Sequence, residues 1–193
     1  MSLYLVRHGE TDWNKKMLLQ GREDIPLNEE GIRQAHECGK AFREHGMVKK
    51  TRIISSPLLR AKKTAEIIAT YIGVEQIEIE ENLIEREFGL LSGQHYEKAG
   101  SYRDTNGEDG MESMAALFRR MEQVVMDYKT EEPIIFVSHG ASINAALGVF
   151  SKGVLGPGKT WLKNACISAI DFMESETKVS FHNLSPDEFL QHK

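Results

Sequence analysis

Short runs of consecutive apolar residues alternate along this chain with longer stretches in which apolar residues recur every three or four positions. Leu3 to Val6 is the first run. Four unbroken apolar residues suit a strand covered on both faces. From Asn28 to Gly46, residues Ile32, Ala35, Gly39 and Phe42 fall on one stripe, which predicts a helix with Gly46 as its stop. Arg52 to Ser55 reads as a second strand, and Pro57 sits where the first turn of a following helix tolerates it. Leu58, Ala61, Ala65, Ile68 and Ile72 would be the buried face of that helix, and Gly73 its end. Ile77 to Glu80 alternates, predicting an outer strand with one wet face. Residues 92–110 are polar and glycine-bearing, with weak signals. A helix is predicted over Met111 to Tyr128, with Met114, Leu117, Met121, Val124 and Val125 inward. Ile134 to Val137 is another buried strand, a helix follows from about Ala141 to Phe150, and 166–172 with 178–182 read as a late strand pair.

This alternation implies an α/β fold: a three-layer α/β/α sandwich with a mostly parallel central sheet. No repeat or linker interrupts it, so residues 1–193 are expected to form one domain, with 90–115 as a segment covering the pocket. In open sheets of this kind, ligands bind outside the carboxyl ends of the strands.

Charge narrows the partner. The net charge is −5, and the pI is about 5.8. Such a surface is a poor general partner for nucleic acid or an anionic membrane, so an anionic ligand must be drawn by a local basic cluster. The two cysteines, Cys38 and Cys166, form no framework and are read as reduced residues in or near the core. The apolar run near the start, Leu3 to Val6, is too short for a signal-peptide core or a span, which makes the cytoplasm the expected compartment. Oligomeric state is left open.

Three predicted buried strands end in polar residues of one chemical type. The first runs into Arg7-His8-Gly9-Glu10-Thr11, the second into Ser55-Ser56-Pro57 and then Arg60, the last into Ser138-His139-Gly140. Parallel strands put these ends on one edge, where two histidines and two arginines can converge. Taken singly, each is more often a solvated or packed residue. Together they suit a phosphoryl group, because the guanidinium fork matches phosphate oxygens. Glycine after each histidine would let the backbone turn closely around a small ligand. No metal is expected: there is no paired-cysteine or His-Glu-x-x-His pattern, and two arginines would repel a cation.

Leu5-Val6-Arg7-His8-Gly9-Glu10-Thr11 resembles the signature of the histidine phosphatase superfamily, the phosphoglycerate mutase-like family. The likeness continues through Asp12-Trp13-Asn14, Gln20-Gly21, Asp24, Pro26-Leu27, Gly31 and Gln34-Ala35. It extends to Ser55 through Ala61 with Thr64-Ala65, Leu83 through Gly89, and Val137 through Gly140. The resemblance implies a phosphoglycerate mutase-like fold, no cofactor, and a small-molecule phosphate ester as partner. It implies His8 as the nucleophile that carries the phosphoryl group. Arg7, Arg60 and His139 would surround the phosphoryl oxygens, with His139 drawn to its charged form by the phosphate, so that mildly acidic pH favours activity over alkaline. Asn14, the Gln20-Gly21 backbone and Gly140 would complete the cradle. Glu85 would serve as acid and base, chosen over Glu87 by the motif. Glu112-Ser113 and Arg120 resemble a segment of the phosphatase branch, where packing is an equal reading.

Three activities fit this resemblance: a phosphatase, a cofactor-dependent phosphoglycerate mutase, or an idle phosphate-binding protein. The complete residue set argues against the last. Only 53 residues lie between Glu85 and His139, where mutases of the family carry a longer insertion. Ala141 stands where mutases carry Asn, and Tyr96 where they carry a lysine. The wording of 55–61 is nearer to broad-specificity bacterial phosphatases of the PhoE type, so phosphatase is the leading expectation. Tyr96, Tyr102, Met111 and Met114 could hold an apolar or flat organic group, or simply pack their segment on the body.

Overall fold

The computed structural model describes residues 2–48, 50–101, 110–129, 132–174 and 176–192. In chain order its elements are β1 (Ser2–Arg7), α1 (Asp12–Lys15), α2 (Glu29–Glu44), β2 (Arg52–Ser55), α3 (Leu59–Ile72) and β3 (Glu78–Ile79). Then follow α4 (Met114–Asp127), β4 (Ile134–Ser138), α5 (Gly140–Phe150), β5 (Ile167–Phe172), β6 (Thr177–Leu184) and α6 (Pro186–Gln191). Short 3₁₀ turns occupy Glu81–Leu83, Gly89–Leu91 and Tyr96–Ser101.

The described strands form one six-stranded sheet in the order β3-β2-β4-β1-β5-β6. The first four are mutually parallel, while β5 and β6 pair antiparallel at the other side. Apolar side chains cover both faces, as the uninterrupted runs require. On one face Tyr4, Val6, Ile53 and Ile135 pack with Cys38, Phe42, Ile68 and Phe189, from α2, α3 and α6. On the other, Leu3, Leu5, Ile54 and Phe136 pack with Leu117, Met121, Ile143 and Leu147, from α4 and α5. This is the expected three-layer α/β/α sandwich. The sheet is mixed, because the late strand pair folds back beside β1.

The register fixes what meets at the sheet's edge. Val6 pairs with Val137, and Val137 with Ser55. One or two residues further on, the three chains deliver His8, His139 and Ser56 side by side.

Several boundaries differ from expectation. The buried residues of α2 are Gly31, Ala35, Cys38, Gly39, Ala41 and Phe42, while Ile32 is 38% exposed. The helix rolls toward its smallest residues because its neighbours come very close. A Cβ at Gly31 would lie 2.1 Å from the Glu10 carbonyl oxygen, and one at Gly39 would lie 2.4 Å from the Tyr71 ring. Pro57 precedes the cap of α3, which is Leu58, so it enters the helix from outside rather than within the first turn. Helix α4 starts at Met114, capped by the Ser113 hydroxyl on the Ala116 N–H. Met111 instead bridges to Phe88. The turn α1 and the terminal α6 carry capping boxes at Thr11-Asn14 and Ser185-Glu188 that periodicity could not register in helices so short. Among the described residues, no helix is long and apolar enough to cross a membrane.

Candidate active site

His8 and His139 leave adjacent parallel strands and face each other with ring centroids 5.1 Å apart. Both are buried, as is Arg60, whose exposure is 0%. The His8 N–H bonds to the Ser138 carbonyl, continuing the ladder by one step and fixing where the ring departs.

The His8 tautomer follows from its neighbours. Nδ1 lies 2.7 Å from the Gly9 carbonyl, which can only accept, so Nδ1 carries the proton. The other nitrogen, Nε2, accepts from Arg60 Nε at 3.3 Å and therefore presents a lone pair. Burial pushes the His8 pKa well below the usual imidazole value, and the positive charges of Arg60 and Arg7 push it further. The ring is thus a neutral base with its unprotonated nitrogen among cations, which is the state a nucleophile needs.

Arg60 is anchored rather than free. Its Nη1 donates to the Glu23 carbonyl at 2.6 Å and its Nη2 to that of Gly21 at 2.8 Å. Burial pulls its pKa down to about 10, still cationic at neutral pH. Gly21 positions Arg60 through its carbonyl, and it does so with φ at +53°, a conformation glycine adopts without strain. Arg7 gives Nη1 to the Leu162 carbonyl at 2.5 Å. Its buried Nε has no hydrogen-bond partner among the described residues, and neither does Nδ1 of His139. Nε2 of His139 lies 2.7 Å from the Ser56 hydroxyl, whose oxygen already accepts the Leu58 N–H. The same hydroxyl can give its proton to Nε2, an arrangement that puts the ring proton on Nδ1. Two buried donors without acceptors, beside a nitrogen lone pair, describe a site built for an oxyanion, because leaving such groups unpaired is costly.

Without an anion, His139 is held in its neutral form. Burial, the positive charge of Arg60, the neighbouring His8 ring and the positive charges of Arg7 and Arg120 hold its pKa well below the ordinary value. Protonation therefore has to come with the anion, which would reverse the sign of the field.

Glu85 is 8% exposed and sits against the first turn of α5. Its Oε1 accepts from the N–H groups of Arg86 and Ser142, at 2.9 and 3.1 Å, and lies 3.2 Å from the Ser142 hydroxyl. Among the described residues Oε2 receives only the Ala141 N–H, at 3.2 Å. One oxygen is thus saturated by a helix N-terminus, and the other keeps room for a proton. Gly140 separates this carboxylate from Arg7: a Cβ there would lie 3.6 Å from Arg7 Nε and 3.9 Å from Glu85 Oε2. Gly9 is different. A Cβ on it would lie 2.3 Å from the Gly31 carbonyl oxygen, so its smallness serves the approach of α2, not a turn around a ligand.

Asn14 lines the cavity, with Oδ1 held by the Thr11 N–H at 3.2 Å and by Asn164 Nδ2 at 3.1 Å. Gln20 also lines it, with Oε1 3.1 Å from the Thr11 hydroxyl. The cavity, about 560 Å³, runs outward from Arg7, His8, Arg60 and Glu85 to an apolar wall that includes Leu18, Phe88, Tyr96, Phe118 and Trp161. Leu91, Tyr96, Met111 and Met114 of the expected covering segment line it; Tyr102 lies outside the described residues.

Sequence reasoning missed the contributions of Ser56, Ser142, Leu162, Asn164 and Trp161. Only Ser142 had a readable signal, since the third residue of a helix presents its N–H to any anion at that end. Among the described residues, no three of His, Cys, Asp and Glu cluster as metal ligands.

The model of the histidine phosphatase superfamily, branch 1, matches residues 3–185. The chain is 37% identical over 185 residues to the phosphatase PhoE of Bacillus subtilis, covering 94% of this chain and 93% of that one. It is 35% identical over 195 residues to a probable phosphoglycerate mutase GpmB of Yersinia pestis, covering 91% and 86%. Among solved structures it resembles a phosphoserine phosphatase of Entamoeba histolytica in complex with 3-phosphoglyceric acid. There the TM-score is 0.80 and the identity 30%, covering 95% of this chain and 96% of that one. The chain belongs to branch 1 of the histidine phosphatase superfamily and is an enzyme of the phosphatase kind.

Proposed function

We propose that this enzyme hydrolyses small phosphomonoesters in two transfers, with His8 carrying the phosphoryl group between them. In the first, the Nε2 lone pair attacks phosphorus, the ester P–O bond breaks, and the leaving oxygen takes a proton from Glu85 Oε2. In the second, Glu85 takes a proton from water, the water oxygen bonds to phosphorus, and the P–N bond breaks. Neutral His8 and inorganic phosphate result. Arg7 Nε and His139 Nδ1 donate to the non-bridging oxygens, and Arg60 offsets their charge. Asn14 and Gln20 border the same oxygens, and Gly140 keeps the space open.

The observation that carries this reading is the tautomer of His8: a proton on Nδ1 held by the Gly9 carbonyl and a lone pair on Nε2 turned toward Arg60. Hydrolysis rather than mutase chemistry is supported by Ala141 and by Tyr96. The latter stands where mutases of the family carry a lysine, and its ring lies 5.3 Å from that of Trp161. Such a wall suits an apolar or flat alcohol better than a second anionic group. The similarity to GpmB keeps 3-phosphoglycerate isomerisation as the second reading.

Residues 1–193 act as one domain in this proposal, with 90–115 covering the pocket. The span of the family match and the four cavity-lining residues of that segment support it. The proposed compartment is the cytoplasm, on the buried and unpaired state of Cys38 and Cys166.

The test is a panel of metabolite phosphates assayed for released phosphate, with 3-phosphoglycerate isomerisation followed in parallel. Quenching a labelled phosphate ester with alkaline denaturant, in which a phosphohistidine survives, should leave label on His8. Isomerisation outpacing phosphate release would reverse the assignment, and label on another residue would remove the nucleophile.

A further inference from the structure

Glu85 belongs to no helix or strand. It lies between the 3₁₀ turns Glu81–Leu83 and Gly89–Leu91, so while the N–H groups of Arg86, Ala141 and Ser142 hold its carboxyl, no backbone ladder fixes the segment that carries it. Proton transfer demands such fixing, because an error near 1 Å can cost about a hundredfold in rate.

Arginine side chains supply it. Arg120 Nη1 donates to the carbonyls of Asn82 at 2.6 Å and Ile84 at 2.9 Å. Arg22 Nε donates to the carbonyl of Glu85 itself at 3.2 Å. All of this meets at Glu112. Its carboxylate takes Arg120 edge-on, Nε to Oε1 at 2.9 Å and Nη2 to Oε2 at 2.8 Å. Arg22 Nη2 lies 3.5 Å from the same Oε2. The Glu112 main chain adds two more ties, its N–H to the Glu87 carbonyl and its carbonyl to Arg86 Nε, both at 2.9 Å. Residues on each side of Glu85 are thereby fastened to one glutamate.

We propose that the Arg120–Glu112 pair is a positioning device that sets Glu85 Oε2 against the scissile bond. The inference rests on the reading of Glu85 as acid and base. Neither partner lines the cavity, so neither touches substrate. The side chains are only 13% and 11% exposed, which separates this pair from solvated surface pairs of little consequence. The guanidinium plane explains the choice of arginine: with one edge held by a carboxylate, Nη1 is aimed at the carbonyls, which a lysine cannot do. A purely structural pair would tie α4 to the sheet and leave proton transfer untouched.

The discriminating measurement is kcat/KM for an alkyl phosphate and for p-nitrophenyl phosphate, since kcat/KM reports only the steps through leaving-group departure. Arg120→Ala should lower the alkyl value about tenfold more than the aryl value, whose leaving group needs almost no proton. Arg120→Lys should fail to rescue. Glu112→Gln keeps the packing volume and should move the same ratio in the same direction by a smaller factor. It decides the matter should Arg120→Ala not fold. Equal losses on both esters, or none, would overturn the proposal. Glu85→Gln run alongside separates the layers. A shifted ratio there with none in the Arg120 and Glu112 variants sinks the positioning role alone, and no shift in any of them sinks the acid role together with it.

Discussion

The two ends of the cavity are built on different principles. At the inner end, His8, His139 and Ser56 leave β1, β4 and β2 in strand register, and His8, Arg7, Arg60 and Glu85 are oriented by main-chain carbonyls or a helix N-terminus. At the outer end, Leu18, Phe88, Tyr96 and Trp161 come from loops and 3₁₀ turns, and their contacts are apolar. Trp161 is 69% exposed. The inner end can enforce a geometry to fractions of an ångström, because strand pairing and buried hydrogen bonds leave it no alternative. The outer end can only offer surface. Chemistry is fixed at one end and substrate choice is adjustable at the other, so changes at the two ends should differ in kind as well as in size.

The largest effect is expected at the nucleophile. Replacing His8 by Ala should lower phosphate release by about 10⁴-fold or more, as removal of a covalent catalyst does. Retention of near-normal turnover in a phosphate-release assay would break the inner end as described. Arg60→Lys comes next. A lysine cannot hold the Gly21 and Glu23 carbonyls while also presenting an N–H to His8. A loss in kcat/KM of about 10²-fold is expected, on the scale of one oxyanion donor. That loss should be similar for alkyl and aryl esters, since Arg60 serves the phosphoryl group and not the leaving oxygen.

The paired histidines give the inner end a pH signature. Both pKa values are depressed in the folded chain by burial and by nearby cations. A histidine of this kind takes up its proton at lower pH folded than unfolded. Its contribution to stability is full above the unfolded value near 6.5 and is lost as pH falls toward the depressed folded value. The loss is about 1.4 kcal/mol for each unit of depression. Urea unfolding between pH 7.5 and pH 5 should show falling stability, and His139→Gln should show a shallower fall. Inorganic phosphate should offset the loss, because a bound anion favours the protonated rings. Identical slopes in the two proteins would mean that His139 does not titrate in this window.

Legibility in the sequence followed the same division. The buried strands were readable because a strand covered on both faces needs an unbroken apolar run, and Leu3–Val6 and Ile134–Val137 have one. Their polar ends then located His8, Arg7, His139 and Arg60 on one edge. What periodicity could not deliver was contact between side chains. It did not foresee that the Gly21 carbonyl would hold Arg60, or that Gly9 would answer to Gly31 of α2. It did not show that Ile32 would roll outward for the sake of two glycines. Charged residues within a few positions of one another, such as Glu80, Glu81, Glu85 and Glu87, look alike along the chain. Only the helix N-terminus at Ala141 and Ser142 distinguishes Glu85 physically from its neighbours. The outer wall was legible only in part: Tyr96, Met111 and Met114 stood out in the covering segment, whereas Trp161 sits in an irregular glycine-bearing stretch with no pattern to place it.

The smallest effect tests that wall. Trp161 lies beside Tyr96 in the cavity wall and is largely exposed, and its ring offers a face against which a flat alcohol can rest. Trp161→Ala should leave kcat nearly as it is and raise KM for an aryl or long-chain phosphate several-fold, the scale of one apolar contact in a pocket. For a phosphate ester of two or three carbons, KM should barely move, because nothing reaches the ring. If KM rose equally for both, the tryptophan would be shaping the inner end after all, and the division between a rigid phosphoryl site and an adjustable wall would fail at the point where it is easiest to measure.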